Sequence, residues 1–321
     1  MYHHHDNSRF RYLLLLAFVA LPSLLPPAAS RSLPTSPTTT TTTSPHGTLS
    51  ICTSGNVTTV TISHPPINLY DIYLASDLYG FLNSLNPMNR TTPPPKVVIF
   101  RSADPEFFIA HVDVNAFVEP LTPEKLTLLG YYSPTLRLMQ SLTNTAFIAE
   151  VDGRATAGGN EILMWMDMRF AGPNAHLGSL ETSLGVTHGA GGMQFLARLI
   201  NKGRALQFLL SGDSIGCKKG MELGWFNECY HSRKEMEETV GDLAKRIALR
   251  PQGGLNATKA GLQDWNPPLA VVDADMETYK GLNQSPEAQA LFKKFLVLGK
   301  NQTRSPFELG LDATLAQLYE E

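Results

Sequence analysis

The run from Phe147 to Met166 fixes the local fold more tightly than any other stretch of the chain. Phe147-Ile148-Ala149-Glu150-Val151 reads as a buried strand, Asp152-Gly153 as the turn after it, and Glu161-Ile162-Leu163-Met164-Trp165-Met166 as the body of a helix. Gly158, in Ala155-Thr156-Ala157-Gly158-Gly159-Asn160-Glu161, then falls at the helix N-terminus. Backbone N–H groups there have no intrahelical partner and the dipole is positive, so a developing oxyanion is stabilised. Glu161 lies one helical turn on, on the same face. Either the donor and the carboxylate address one substrate, or Glu161 caps its own helix as the N3 partner of a capping box.

A second glutamate follows in a second glycine-bearing segment, Leu177-Gly178-Ser179-Leu180-Glu181, and Gly189-Ala190-Gly191-Gly192 comes after it. Glycines let backbone N–H groups approach a ligand, and an adjacent carboxylate can trade protons with it. That combination suggests chemistry on a carbonyl compound. Upstream, Lys96-Val97-Val98-Ile99-Phe100 is a short apolar strand that runs into Phe107-Phe108-Ile109-Ala110-His111-Val112-Asp113-Val114.

With these segments in this order, the chain resembles the enoyl-CoA hydratase/isomerase family, also called the crotonase superfamily. The resemblance covers most of residues 48 to 305. It includes Val60-Thr61-Ile62-Ser63-His64-Pro65-Pro66-Ile67-Asn68 near the start and Gly185-Val186-Thr187-His188-Gly189-Ala190-Gly191-Gly192 further on. It ends with Ala257-Thr258-Lys259 and Ser285-Pro286-Glu287-Ala288-Gln289, which look like the family's C-terminal helices. The resemblance implies an α/β fold, a crotonase-like spiral of ββα units in two sheets, followed by a C-terminal helical region that builds homotrimers or hexamers. It also implies an oxyanion hole made by the N–H groups of Val112 and Gly158, catalysis by Glu161 and Glu181, and substrate contacts from Ala110, His111 and His188. The substrate implied is an acyl-CoA or related thioester, with no metal and no cofactor beyond the CoA it carries.

The chain departs from the family pattern at three of these positions. His111 stands where the family has glycine, Ala157 replaces the first glycine of its triple run, and His188 replaces its proline. Each histidine either tunes the carboxylates or is satisfied by a backbone carbonyl with no catalytic role. The cationic partners of the CoA phosphates are not marked, and Lys259 and Arg101 are the candidates.

Periodicity places strands near 49–53, 57–63, 96–101, 146–151 and 167–170 and helices near 71–85, 123–141 and 158–165. Mostly helical pattern runs from Ser232 on. The division expected is a signal peptide over 1–30, a linker over 31–47, the spiral core over 48–231 and the helical region over 232–321. The chain has 321 residues, 43% hydrophobic, with a net charge of −3 and no basic run, so nucleic acid is not an expected partner. No CxxC or HExxH spacing marks a metal site.

The N-terminus reads as secretory. Arg9 and Arg11 precede Leu13-Leu14-Leu15-Leu16-Ala17-Phe18-Val19-Ala20-Leu21, and Ala28-Ala29-Ser30 supplies a cleavage-like site. Pro22, Pro26 and Pro27 interrupt the apolar segment, so no stable membrane span is expected once the signal is cleaved; an uncleaved anchor is the alternative. The following stretch is rich in Ser, Thr and Pro, including Thr38 to Thr43 without a break, and reads as a flexible linker. Asn56, Asn89, Asn256, Asn283 and Asn301 begin glycosylation sequons. Cys217 and Cys229 are a possible bridge, but each of the three cysteines, Cys52 included, reads first as a buried thiol.

Three functions follow. The first is hydration or double-bond isomerisation of an enoyl thioester. The second is a silent or reassigned scaffold that binds an acyl ligand or a protein. The third is a specialised enzyme that acts on a free carbonyl compound.

Overall fold

The computed structural model describes residues 38–320, so the signal-like segment lies outside the described residues. β1 (Thr39–Thr43), β2 (Leu49–Ser54) and β3 (Val57–Ile62) pair antiparallel in that order. The chain continues through α1 (Ile72–Ser84), β4 (Val97–Ser102), β5 (Phe107–Ile109), α2 (Pro123–Ser141), β6 (Ala146–Val151), β7 (Arg154–Thr156), α3 (Gly158–Met164), β8 (Met168–Ala171), β9 (His176–Gly178) and α4 (Gly192–Ile200). Then come α5 (Lys202–Ser211), β10 (Ile215–Gly216), α6 (Cys217–Leu223) and β11 (Glu228–Cys229). The C-terminal helices are α7 (Arg233–Ala248), α8 (Gln252–Gly261), α9 (Leu269–Asn283), α10 (Pro286–Leu298) and α11 (Pro306–Leu309).

The ββα rhythm is visible in the sheets. Strands order as β1-β2-β3-β4-β6-β8-β11 in a seven-stranded sheet and as β10-β9-β7-β5 in a four-stranded one. Each unit, β4-β5-α2, then β6-β7-α3, then β8-β9-α4, gives one strand to each sheet and advances by one position. The strands of the small sheet are two or three residues long, too short to leave a period in the sequence, which is why only the large sheet is legible there.

β4 and β6 are apolar runs because they are covered on both faces, as parallel strands are. Side chains alternate across a strand. Val97 and Ile99 therefore join Ile148, Met236, Val240 and Ala244 beneath α7, whereas Val98 and Phe100 join Leu74, Leu78 and Leu136 beneath α1 and α2. Because α7 packs on this sheet, the expected boundary at residue 232 separates no independent body. The described residues form one compact unit.

Two expectations are corrected. Of the supposed linker, Thr39–Thr43 is an edge strand in register with β2, from Thr39 opposite Ser54 to Thr43 opposite Ser50. Threonine is β-branched and suits a strand even where all five side chains are exposed, so composition concealed it. Cys217 and Cys229 form a disulfide with Cα atoms 5.4 Å apart, because β11 adds to the edge of the large sheet beside α6.

The turn after β1 is anchored by one carboxylate. Asp77 in α1 is buried and accepts hydrogen bonds from Ser44 Oγ (2.5 Å), Thr48 Oγ1 (2.8 Å), His46 N (3.1 Å) and Thr48 N (3.2 Å). Burial works against its charge, but the donors, Ser44 first, outweigh it and lower its pKa. Asp77→Ala strands those donors, and we expect a loss of about 3 kcal/mol, the scale for charge-assisted bonds, in urea denaturation at pH 7. A lowered pKa contributes stability above the ordinary carboxylate value and loses it as pH falls through the lowered one. The difference between the two proteins must therefore shrink in acid.

Candidate active site

Gly158 and Val112 meet because the backbone between them leaves no room for a side chain. A Cβ on Gly158 would stand 2.4 Å from Val112 Cγ2 and 2.8 Å from the Tyr132 hydroxyl, and one on Gly159 would stand 2.1 Å from Ile109 O. The chain enters α3 through Ala157 at φ +50, a region that favours glycine, so this alanine holds a strained turn at the position of the family's first glycine. Gly158 is the first residue of α3. Among the described residues, neither its N–H nor that of Val112 donates to an acceptor, and the peptides on either side of Val112 are held by Tyr70: Tyr70 N donates to His111 O at 2.9 Å and Asp113 N to Tyr70 O at 3.1 Å. The Val112 loop and the first turn of α3, which press together, each present an unpaired N–H; Gly159 N and Asn160 N in that turn are unpaired as well.

Glu161 is buried on the next turn. Its Oε1 accepts from Gly192 N (3.0 Å) and Ala190 N (3.1 Å), so the glycine loop ahead of α4 is a carboxylate cradle. It does not cap its own helix, whose N-cap makes no side-chain bond. The Tyr132 hydroxyl lies 2.8 Å from Gly158 O and 3.1 Å from Glu161 Oε2. A carbonyl can only accept, so a single hydroxyl proton given to Gly158 leaves Tyr132 to accept from a protonated Oε2. Burial, with the nearby charge of Glu181, pushes the Glu161 carboxyl up to about 7, against the opposing effects of His188 and the two N–H donors.

Glu181 begins the turn after β9, and its Oε2 is 2.9 Å from His188 Nε2, with both residues buried. Burial disfavours the charged imidazole, but Glu181 outweighs it and raises the histidine above its ordinary pKa. Among the described residues no cluster of three or more His, Cys, Asp or Glu is arranged to hold a metal.

The structure thus brings together Val112, Gly158, Glu161, Glu181 and His188. Two other residues expected to contact substrate are committed elsewhere. Ala110 accepts from Thr156 N (2.9 Å) and donates to Ile67 O (3.3 Å). His111 has Nδ1 2.9 Å from Val112 O and Nε2 3.1 Å from Glu308 Oε2. Both backbone groups of Ala110 and both ring nitrogens of His111 thus have protein partners. The candidates for the CoA phosphates are likewise engaged: Lys259 with Thr145 O and Asp167, each at 2.8 Å, and Arg101 with Glu150 at 2.8 Å and Glu237 at 3.4 Å.

The sequence did not reveal Tyr132, whose position in the helical period of α2 reads as core. Nor did it reveal Tyr279 in α9, close enough to Glu181 and Glu161 that their charges, after burial, push its phenol far above its ordinary pKa. Tyr279 also abuts the glycine loop, where a Cβ on Gly189 would be 2.9 Å from its Cβ. Helix periodicity marks a tyrosine as apolar and says nothing of where its hydroxyl ends.

A family model described as "Enoyl-CoA hydratase/isomerase" matches residues 53–294. A crotonyl-CoA hydratase of Syntrophomonas wolfei is 31% identical over 173 residues, covering 54% of this chain and 65% of that protein. A short-chain-enoyl-CoA hydratase of Clostridium acetobutylicum is 34% identical over 152 residues, 47% of this chain and 57% of that one. These matches span only about two thirds or less of the curated relatives. A crystal structure from Streptomyces avermitilis, assigned as an enoyl-CoA hydratase, superposes with a TM-score of 0.78 at 31% identity, over 86% of this chain and 98% of that one.

The contact between Val112 and Gly158 can be tested directly. Gly158→Ala drives a methyl into Val112 and Tyr132, and we expect a cost of about 1–3 kcal/mol, the range for overpacking. Adding Val112→Ala should recover part of it in thermal denaturation. If Gly158→Ala is as stable as the parent, the two residues are not in contact.

Proposed function

This chain belongs to the enoyl-CoA hydratase/isomerase family, and we propose that it hydrates the double bond of a 2-enoyl thioester carried on CoA. The observation that carries this reading is the pair of buried glutamates in unlike settings, Glu161 with its carboxyl pushed up to about 7 and Glu181 against the His188 ring, beside two unpaired N–H groups.

Hydration needs one acid and one base. A water lone pair adds to Cβ as Glu181 takes its proton, and the π electrons move onto the thioester oxygen. Val112 and Gly158 N–H hold that enolate oxygen, at about 3 kcal/mol per donor. The enolate then reforms the carbonyl as Cα takes the proton from Glu161. With one carboxyl silent and no water added, the other would instead remove a proton from Cα of a 3-enoyl thioester, the dienolate oxygen being held by the same two N–H groups, and return it at Cγ, so that the double bond shifts. Between α2 and α9, a narrow cleft lined by Leu136, Trp165, Ala190, Val272 and Met276, with Ser133, Arg137 and Asp273 also on its wall, lies next to the Glu161 cradle and would have to widen to take an acyl chain.

A second reading, a scaffold that binds acyl ligands without turning them over, is favoured by one observation: both oxygens of Glu161 have protein partners, Ala190 and Gly192 on one and Tyr132 on the other. Loss of the conjugated absorbance of crotonyl-CoA separates the two. Glu161→Gln and Glu181→Gln should each lower the rate by about 100-fold or more, the scale of general acid–base catalysis, with the fold intact. If both retain parental turnover, the scaffold reading stands.

The pH profile assigns the roles. As the acid, Glu161 must be protonated, so kcat/KM should fall as pH rises through about 7, and that limb should vanish in Glu161→Gln. A rate that rises through the same range would make Glu161 the base.

We also propose a secretory location and a homotrimer or hexamer. The disulfide fits an oxidising compartment, and Asn56, Asn89 and Asn301 are exposed, whereas Asn283 is buried and drops out as a glycan acceptor. Leu262 and Trp265 beside α8, each 66% exposed, fit a covered face in an oligomer. Mass spectrometry of the native protein should find an N-terminus near residue 31 and N-glycan on at least one of Asn56, Asn89, Asn256 or Asn301. An intact Met1 with no glycan refutes secretion.

A further inference from the structure

The segment that follows α10 is fastened to the loop carrying the Val112 donor. Gln302 Oε1 accepts from Val114 N and its Nε2 donates to Asp113 Oδ1, both at 2.7 Å, while Asn301 Oδ1 accepts from Asn115 Nδ2 at 3.2 Å. Arg304 pairs with Asp104 and Glu106 in the turn before β5, the strand that leads into that loop. Lys300, Asn301 and Gln302 all adopt left-handed φ, at 50, 55 and 62°, and none is glycine. Consecutive residues stay in that region only where their surroundings hold them. The segment lies beyond the residues matched by the family model, which end at 294.

Its innermost contact is the pair His111 and Glu308, 2% and 0% exposed. A carbonyl only accepts, so His111 Nδ1 carries a proton toward Val112 O, and Nε2 faces the carboxylate. The Phe295 ring meets the imidazole edge-on at 5.4 Å between centroids. A buried histidine–carboxylate pair is by itself a weak source of stability. Burial opposes the imidazolium, yet Glu308 outweighs it and keeps the histidine above its ordinary pKa. One ring thus bridges the C-terminal segment and the peptide that follows the donor, while Tyr70 fixes the peptides on either side.

We propose that His111 and Glu308 act as one positioning unit, through which segment 300–308 holds the Val112 N–H at the angle that serves the thioester oxygen. The proposal rests on the oxyanion role given to Val112. Neither residue touches the substrate; both act through the loop.

The test measures crotonyl-CoA kinetics, together with amide hydrogen exchange across residues 108–115, in His111→Ala, Glu308→Ala, the double variant and Glu308→Gln, each checked for fold by circular dichroism. Each alanine variant should lower kcat about 10-fold or more with KM changed by less than about threefold, because the donor acts mainly in the transition state. The double variant should be no worse than the poorer single one. Glu308→Gln keeps the shape, and its amide can donate to a neutral Nε2, so it should restore most of kcat. Should Glu308→Ala not fold, Glu308→Asp, one methylene shorter, must still lower kcat and speed exchange. Unchanged kcat in folded variants, or losses that multiply in the double variant, overturns the proposal. If the parent does not hydrate crotonyl-CoA, the reaction class has failed and exchange alone decides. Faster exchange over 108–115 in Glu308→Asp then upholds the unit, and unchanged exchange overturns it.

Discussion

Glu161, Glu181 and His188 are buried close together, and three ionisable groups cannot share a dry space without dividing charge among them. The histidine settles on Glu181, which leaves Glu161 as the group that burial and a like charge push toward the neutral form. The surroundings are arranged around that division. Ala190 and Gly192 offer N–H groups to one oxygen of Glu161, and Tyr132 stands at the other. The arrangement costs stability: a carboxyl whose pKa is raised by folding favours the folded state fully only below its unfolded value, and that contribution is lost as pH rises through about 7.

Placing these groups requires backbones to approach more closely than side chains allow. The Gly158-Gly159 step presses on the Ile109–Val112 loop, and this contact joins the N-terminus of α3 to the end of the small sheet. The large sheet behind it, apolar on both faces, supplies the rigid support. Short strands of two or three residues suffice for the small sheet because they have only to deliver their loops.

The three departures from the family pattern look like defects in the sequence and are resolved differently in the fold. Ala157 accepts a strained φ at the turn into α3. His188, in place of proline, becomes the partner of Glu181. His111, in place of glycine, is paired with Glu308, so the added ring is accommodated by a residue from the C-terminal segment. In two of the three, the compensating group is a carboxylate, which an imidazole can meet by taking a proton.

The sequence by itself determined the main strands of the large sheet, the helices between them, and the two glutamates with the glycine beside them; the spiral came from the resemblance to a family. These rest on local patterns: apolar runs, turn residues and glycine spacing survive in one dimension. It could not show the small sheet, the strand made from a run of threonines, the disulfide or the two tyrosines. Nor could it choose between a catalytic and a structural reading of either histidine. Those choices depend on partners that only folding brings near, 197 positions away along the chain for His111 and Glu308, and no local period records such a contact. Charge and burial are properties of the assembled interior, so the protonation of Glu161 was decided by tertiary structure alone.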